Sequence, residues 1–366
     1  MVIGITLIIN VFNIDWMYKG FEEYKYITNR SIIFKSVSIA LLFLLVHSRK
    51  DYVMYAAITV IAMSGSNIIN MIAASRHVKF SLYDLSLKKH LKSIFVLLST
   101  ELAISIYANL DSTMVGVFCT DKYVGYYTAA IKINKMVANM ISSMGIVLLP
   151  RLSYYIEQNM KEEFNSIIKK SFQYILLIGL PCSVGLYMLT PEVINLFSGK
   201  EFIPSISAMR ITIPIIIFMG LSNITGMQIL IPMGKEKKLL NAVIIGAIFN
   251  FMLNLIFIPM LKHNGAAIST SIVELIVLSV QYYYIRDYVK GALFRKDNIC
   301  YLIGSILIII TISLIQFINL PDIVNILVSI VLSGMVYVVY LLLIRDALVV
   351  YILKKTFLNK FMKLKI

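Results

Sequence analysis

Ten separate runs of 18 to 25 mostly apolar residues interrupt this 366-residue chain, at 30–47, 52–74, 94–118, 125–149, 171–190, 207–231, 239–259, 265–285, 299–319 and 323–344. A helix needs about 20 such residues to cross the hydrocarbon of a bilayer, so each run is long enough to span. Only helices and closed barrels satisfy their backbone groups in lipid, and no run alternates in polarity as a barrel strand does. The runs therefore predict an all-α, polytopic transmembrane helix bundle. Composition agrees. Hydrophobic residues make up 59% of the chain and charged ones 14%, where a soluble domain carries about 25% charged residues. So few charges cannot wet a soluble surface, and water-soluble domains are excluded. Val2 to Ile14 is a shorter apolar run that reads as the end of a helix whose start is absent.

The formal net charge of +15 follows from orientation. The loops 15–35, 76–92, 151–170, 235–238, 286–296 and 345–366 together hold 26 Lys and Arg, and the opposite set holds six. This asymmetry makes the first set cytoplasmic. It also accounts for the basic balance without nucleic acid as a partner. Membrane lipids are the simplest partner of the tail, where Lys354, Lys355, Lys360, Lys363 and Lys365 suit anionic headgroups.

Chemistry-bearing motifs are sparse. Gly234-Lys235-Glu236-Lys237-Lys238 is basic and glycine-led, but it lacks the loop and hydroxyl of a phosphate-cradling P-loop and reads as a turn. His47, His77, His90 and His263 are scattered, and Cys119, Cys182 and Cys300 have no metal or redox spacing. The expectation is no catalytic residue, no metal, no cofactor, no ATP and no enzyme, which leaves a transporter driven by a gradient or a passive one.

Polar residues inside the spans each need a reason, because a charge at mid-helix costs at least ~2.5 kcal/mol. In 125–149, Thr128, Lys132, Lys135, Asn139 and Ser142 recur at intervals of four and three, which is one stripe on one helix face. Lys135 lies too deep to snorkel out, so the stripe faces a polar cavity. The alternative starts the span at Met136 and leaves both lysines at the interface. The preceding span carries Glu101, Ser105, Ala108 and Ser112 on one stripe, with Asp111 near its outer end. Asp111 is a partner for Lys132 or Lys135, either to position them for substrate or as a purely structural pair. Glu274 lies midway along 265–285, on a face with Ser271 and Gln281. Glu101 and Glu274 are candidates for ion coupling, and a bond to a neighbouring helix is the equal alternative for Glu274. Asn250 and Asn254, at i and i+4, suit helix gluing. Pro214, Gly220, Gly226 and Pro232 interrupt the span 207–231.

Trp16-Met17-Tyr18-Lys19-Gly20, Glu22, Tyr24 to Thr28 and Arg30 resemble a loop of bacterial polysaccharide flippases. Asp111 to Gly116, Val124-Gly125-Tyr126-Tyr127 leading to Lys132, Leu149-Pro150-Arg151, Gln228 with Ile231 to Gly234, and Gly265-Ala266-Ala267 leading to Glu274 follow in the same order. These are the O-antigen and capsule repeat-unit translocases, of the superfamily that includes multidrug antiporters. The resemblance implies a MATE-like architecture of two six-helix lobes around a central cavity, in the cytoplasmic (inner) membrane. It implies an undecaprenyl-pyrophosphate-linked oligosaccharide as substrate, with a polysaccharide polymerase and glycosyltransferases as working partners. Lys132 and Lys135 would then attract pyrophosphate, Asn139 and Ser142 would bond sugar, and Asp111 would position the lysines. The expected division is 1–92 as an incomplete first lobe lacking about three helices, 93–290 as a full six-helix lobe, and 291–366 as two extra helices with a basic tail. A MATE-type cation-coupled antiporter is the second reading, disfavoured by two mid-membrane lysines. A non-transporting, truncated membrane scaffold is the third.

Overall fold

The apolar runs fold as helices because nothing else in lipid satisfies their backbone, and ten helices long and apolar enough to cross a bilayer appear among the described residues. The computed structural model describes residues 4–48, 51–74, 87–286, 289, 298–318 and 320–350. Most of the basic loop 76–92, most of 286–296 and the lysine-rich tail from 351 lie outside the described residues. No strand occurs among the described residues.

The chain forms two compact units, Met1–Lys89 and His90–Ile366. In the first, α1 (Ile5–Asn10), α2 (Asp15–Gly20), α3 (Tyr24–Leu45) and α4 (Tyr52–Ala74) surround a polar seam. There the Arg30 guanidinium donates to Asp15 Oδ1 at 2.9 Å. Asn10 Oδ1 accepts from Ser64 and Asn67 of α4 at 3.0 and 3.1 Å. Tyr18 donates to the Asn70 carbonyl at 3.1 Å. Burial pushes the Tyr18 hydroxyl pKa up, so this donor keeps its proton.

The second unit runs from within α5 (Leu87–Phe118) through α6 (Asp121–Glu157) and α7 (Lys161–Met188) to the short α8 (Thr190–Ser198) and α9 (Ser205–Thr212). It continues with α10 (Ile215–Asn223), α11 (Glu236–Leu261), α12 (His263–Ile285), α13 (Ile299–Gln316) and α14 (Asp322–Leu343). Acidic first turns suit the positive helix ends: Asp121 in α6, Glu162 and Glu163 in α7, Asp322 in α14. Phe172 and Ile175 of α7 pack with Ile216 and Leu221 of α10 in an apolar core. α13 and α14 pair with each other and rest on α7 and α8. Ile306, Leu314, Ile330 and Val339 remain exposed on them, as suits helices with a lipid-facing side.

The expected interruption of 207–231 is present. Pro214 has no N–H to continue α9, so the chain restarts as α10 with tightened bonds from Ile216 and Ile217 to the carbonyls of Ile213 and Pro214. What periodicity did not predict is the next stretch, Ile224–Leu230, which is wound as a π-helix. Such wide turns are rare and cluster at functional sites.

Lys262 alone joins α11 to α12, with a left-handed φ of 55°. Its ammonium donates to the Tyr123 hydroxyl at 2.8 Å and lies 4.7 Å from the centre of that ring. That bond holds the Lys262 pKa above the usual lysine value. Gly265 lets the second helix turn back so tightly, since a Cβ there would stand 2.1 Å from the Phe257 carbonyl oxygen. Backbone cannot yield as a side chain does. Gly265→Ala therefore lowers the melting temperature of the purified protein, at a cost of about 1–3 kcal/mol. An unchanged melting curve would refute the tight packing of this corner.

Candidate functional site

α6 is 37 residues long, about 55 Å at 1.5 Å per residue. Its polar stripe is real but divides in use. Thr128 donates to the carbonyls of Val124 and Gly125 within its own helix at 2.8 and 3.1 Å. Lys132 and Asn139 are exposed, and Lys135 and Ser142 are half-buried. Asn139 and Ser142 line a cavity of about 240 Å³ between α5, α6, α12 and the π-helical stretch. Glu101 and Tyr107 of α5, and Glu274 and Gln281 of α12, share its lining. Four of the residues singled out from sequence thus meet in one cavity. Lys135 and Lys132 stand about one and two turns before Asn139 on α6, outside the lining.

Glu274 is 4% exposed and accepts a short hydrogen bond from the Tyr107 hydroxyl. It is therefore tied to α5, as the helix-bonding alternative anticipated, while also facing the cavity. Gln281, two turns on, is 2% exposed. Its Oε1 accepts from Ser222 at 2.9 Å and from Thr225. These bonds pin the π-helical stretch to α12. Gly226 permits the close approach of α11, since a Cβ there would lie 2.9 Å from Leu239 Cδ1. Ser271 does not join this group. It donates to the Ile211 carbonyl at 2.8 Å, and the stripe on α12 is Thr270, Glu274, Val277 and Gln281, all buried.

Asp111 is where the structure departs from expectation. It pairs with neither lysine, and its partners are four neutral hydrogen-bond donors. Asp111 is fully buried. Its Oδ1 accepts from Asn250 and Asn254 at 2.8 and 2.6 Å. Its Oδ2 accepts from Tyr127 and Thr270 at 2.8 and 2.9 Å. The reason is angular. Tyr127 faces Asp111, Lys132 lies about 140° further around α6, and Lys135 lies about 12 Å further along it. Asn250 and Asn254 do bond across helices as their spacing suggested. Nothing local in sequence marks Tyr107, Tyr127 and Thr270 as polar participants, since Thr270 stands between Ser269 and Ser271, and Tyr127 between Tyr126 and Thr128. No group of three or more metal-ligating side chains occurs among the described residues.

Comparison with known proteins follows the same pattern. A family model for polysaccharide biosynthesis protein matches residues 1–156, and the MatE model matches 97–256. The putative O-antigen transporter of Escherichia coli (strain K12) is 24% identical over 279 residues, which cover 74% of this chain and 66% of that one. Its counterpart in Shigella dysenteriae is 26% identical, covering 69% and 62%. The probable low-salt glycan biosynthesis flippase Agl15 of Haloferax volcanii is 22% identical, covering 50% and 39%. This chain thus spans less than two thirds of the length of these curated relatives. Among solved structures, the inward closed conformation of lipid II flippase MurJ is similar at a TM-score of 0.63 and 18% identity. That likeness covers 87% of this chain and 66% of that one. It establishes the MATE-type fold.

Proposed function

We propose that this chain acts as a flippase of the polysaccharide and lipid-linked superfamily to which its family matches and relatives point, moving a lipid-linked oligosaccharide between membrane leaflets. The substrate is an undecaprenyl-pyrophosphate-linked repeat unit, carried from the cytoplasmic to the outer leaflet of the cytoplasmic membrane for surface polysaccharide synthesis. The observation that carries the reading is the juxtaposition on α6. Lys135 and Lys132 stand about one and two turns from Asn139, which with Ser142 opens on a cavity lined by amides, hydroxyls and carboxylates. A pyrophosphate needs cations, and saccharide hydroxyls need paired donors and acceptors. The stripe offers the first and the cavity the second, along about 15 Å of one helix. The lipid tail stays in the bilayer, so only the polar headgroup crosses on protein groups. No bond is made or broken in this process, and the polymerase and glycosyltransferases that supply and consume such a substrate are separate proteins.

The test is reconstitution of the chain in liposomes with a fluorescent undecaprenyl-pyrophosphate-linked oligosaccharide and no nucleotide. The expected result is that probe in the inner leaflet becomes accessible to an added membrane-impermeant quencher faster than in protein-free liposomes. Translocation at the protein-free rate, or translocation that requires ATP, overturns the reading.

A further inference from the structure

The charge of the cavity is opposite to the charge of the stripe beside it. Glu101 and Glu274 both line the cavity, while Lys132 and Lys135 lie outside the lining. Glu101 is exposed and forms no hydrogen bond or ion pair among the described residues. Glu274 accepts one hydrogen bond, from Tyr107. Asn139, Ser142 and Gln281 supply neutral polar groups in the same lining. Resting on the flippase reading, we infer that this cavity takes the saccharide part of the headgroup and selects a sugar without a carboxylate over an acidic one.

The argument is one of complementary and opposed groups. A sugar hydroxyl in the cavity donates to Glu101 or Glu274 in a charge-assisted bond and accepts from the amides. A sugar carboxylate in the same place has no proton to donate and meets the exposed Glu101 carboxylate, a like charge, beside the second acidic side chain, Glu274. Discrimination by repulsion of the wrong ligand is a recurrent route to specificity. Lys135 does not relieve it: it stands about one turn from Asn139, outside the lining, and once it engages the pyrophosphate its charge is neutralised. Lys135 and Ser142 are seven residues apart, about 10 Å along α6, so phosphate at the first and saccharide at the second belong to one headgroup.

The experiment measures affinity of the purified chain, in detergent, for two probes. They are undecaprenyl-pyrophosphate-linked disaccharides that end in glucose or in glucuronic acid and are otherwise the same. The glucose probe is expected to bind about tenfold tighter, the effect of one uncompensated charge contact. Glu101→Gln narrows that ratio at least about threefold by tightening the acidic probe. Lys135→Gln weakens both probes alike and leaves the ratio in place. Equal binding of both probes by the native chain overturns the selectivity and leaves the flippase reading standing. A ratio unmoved by Glu101→Gln and by Glu274→Gln, each made separately, also overturns the selectivity. Binding of neither probe overturns the flippase reading and the selectivity with it.

Discussion

Replacing Lys135 with glutamate abolishes headgroup translocation, whereas Lys135→Ala reduces it about tenfold or more and Lys135→Arg retains a substantial part. The order follows from what surrounds the position. Lys135 is half-buried on α6, about one turn from Asn139 of the cavity lining. The native site there holds one cation against Glu101 and Glu274. Removing it leaves two carboxylates facing the pyrophosphate, and a glutamate adds a third. Arginine keeps the charge but spreads it over a planar fork, so phosphate is still met with altered geometry. Lys132 stands about 4.5 Å further from the cavity along α6 than Lys135, and Lys132→Glu has the smaller effect. Because Asp111 is bonded elsewhere, adding Asp111→Ala to Lys135→Ala restores nothing. Rescue by that double change would mean that the two residues pair after all. The measurement is the nucleotide-free liposome assay, with reconstituted protein quantified for each variant. Normal translocation by both Lys132→Glu and Lys135→Glu would remove these lysines from the substrate path.

How much of this was legible depends on the range of the interaction. The ten spans were readable because each is a property of about 20 consecutive residues. The Pro214 break was readable because a missing N–H is local. The stripe on α6 was readable because helical spacing fixes which residues share a face. Which other helix meets that face is a different matter. Asp111 bonds to residues 139, 143 and 159 positions away, and no periodicity in α5 points to them. The same gap explains Ser271. It and Thr270 are adjacent, and choosing between them requires knowing which side of α12 meets α5. The π-helical stretch escaped notice for a related reason. Its wide turn is held from outside, by Gln281 of α12, rather than by its own propensities.

The Asp111 clasp yields the second large effect, and it is one of stability. Three helices, α6, α11 and α12, send donors to this single carboxylate on α5. Asp111→Ala leaves the Asn250 and Asn254 amides and the Tyr127 and Thr270 hydroxyls without their acceptor. Three of these have a fallback: Tyr127 and Thr270 lie 2.8 Å apart and can bond each other, and Asn254 already donates to Asn250 Oδ1 at 3.1 Å. The net deficit is therefore smaller than four lost bonds, about 2–4 kcal/mol at 1–3 kcal/mol per orphaned buried group. The expected result is a clear fall in melting temperature in detergent, with insertion into the membrane intact, because the apolar runs that direct insertion are untouched. Asp111→Asn is milder, since one oxygen remains, but its new N–H₂ meets donors on that side. Asp111→Leu combined with Asn254→Leu recovers part of the loss, because removing both partners leaves fewer buried groups unpaired than removing one. That recovery separates a hydrogen-bonded clasp from a side chain that merely fills space, for which the second substitution only adds damage. A melting temperature for Asp111→Ala within a degree of the native protein would show that the four helices hold together without it.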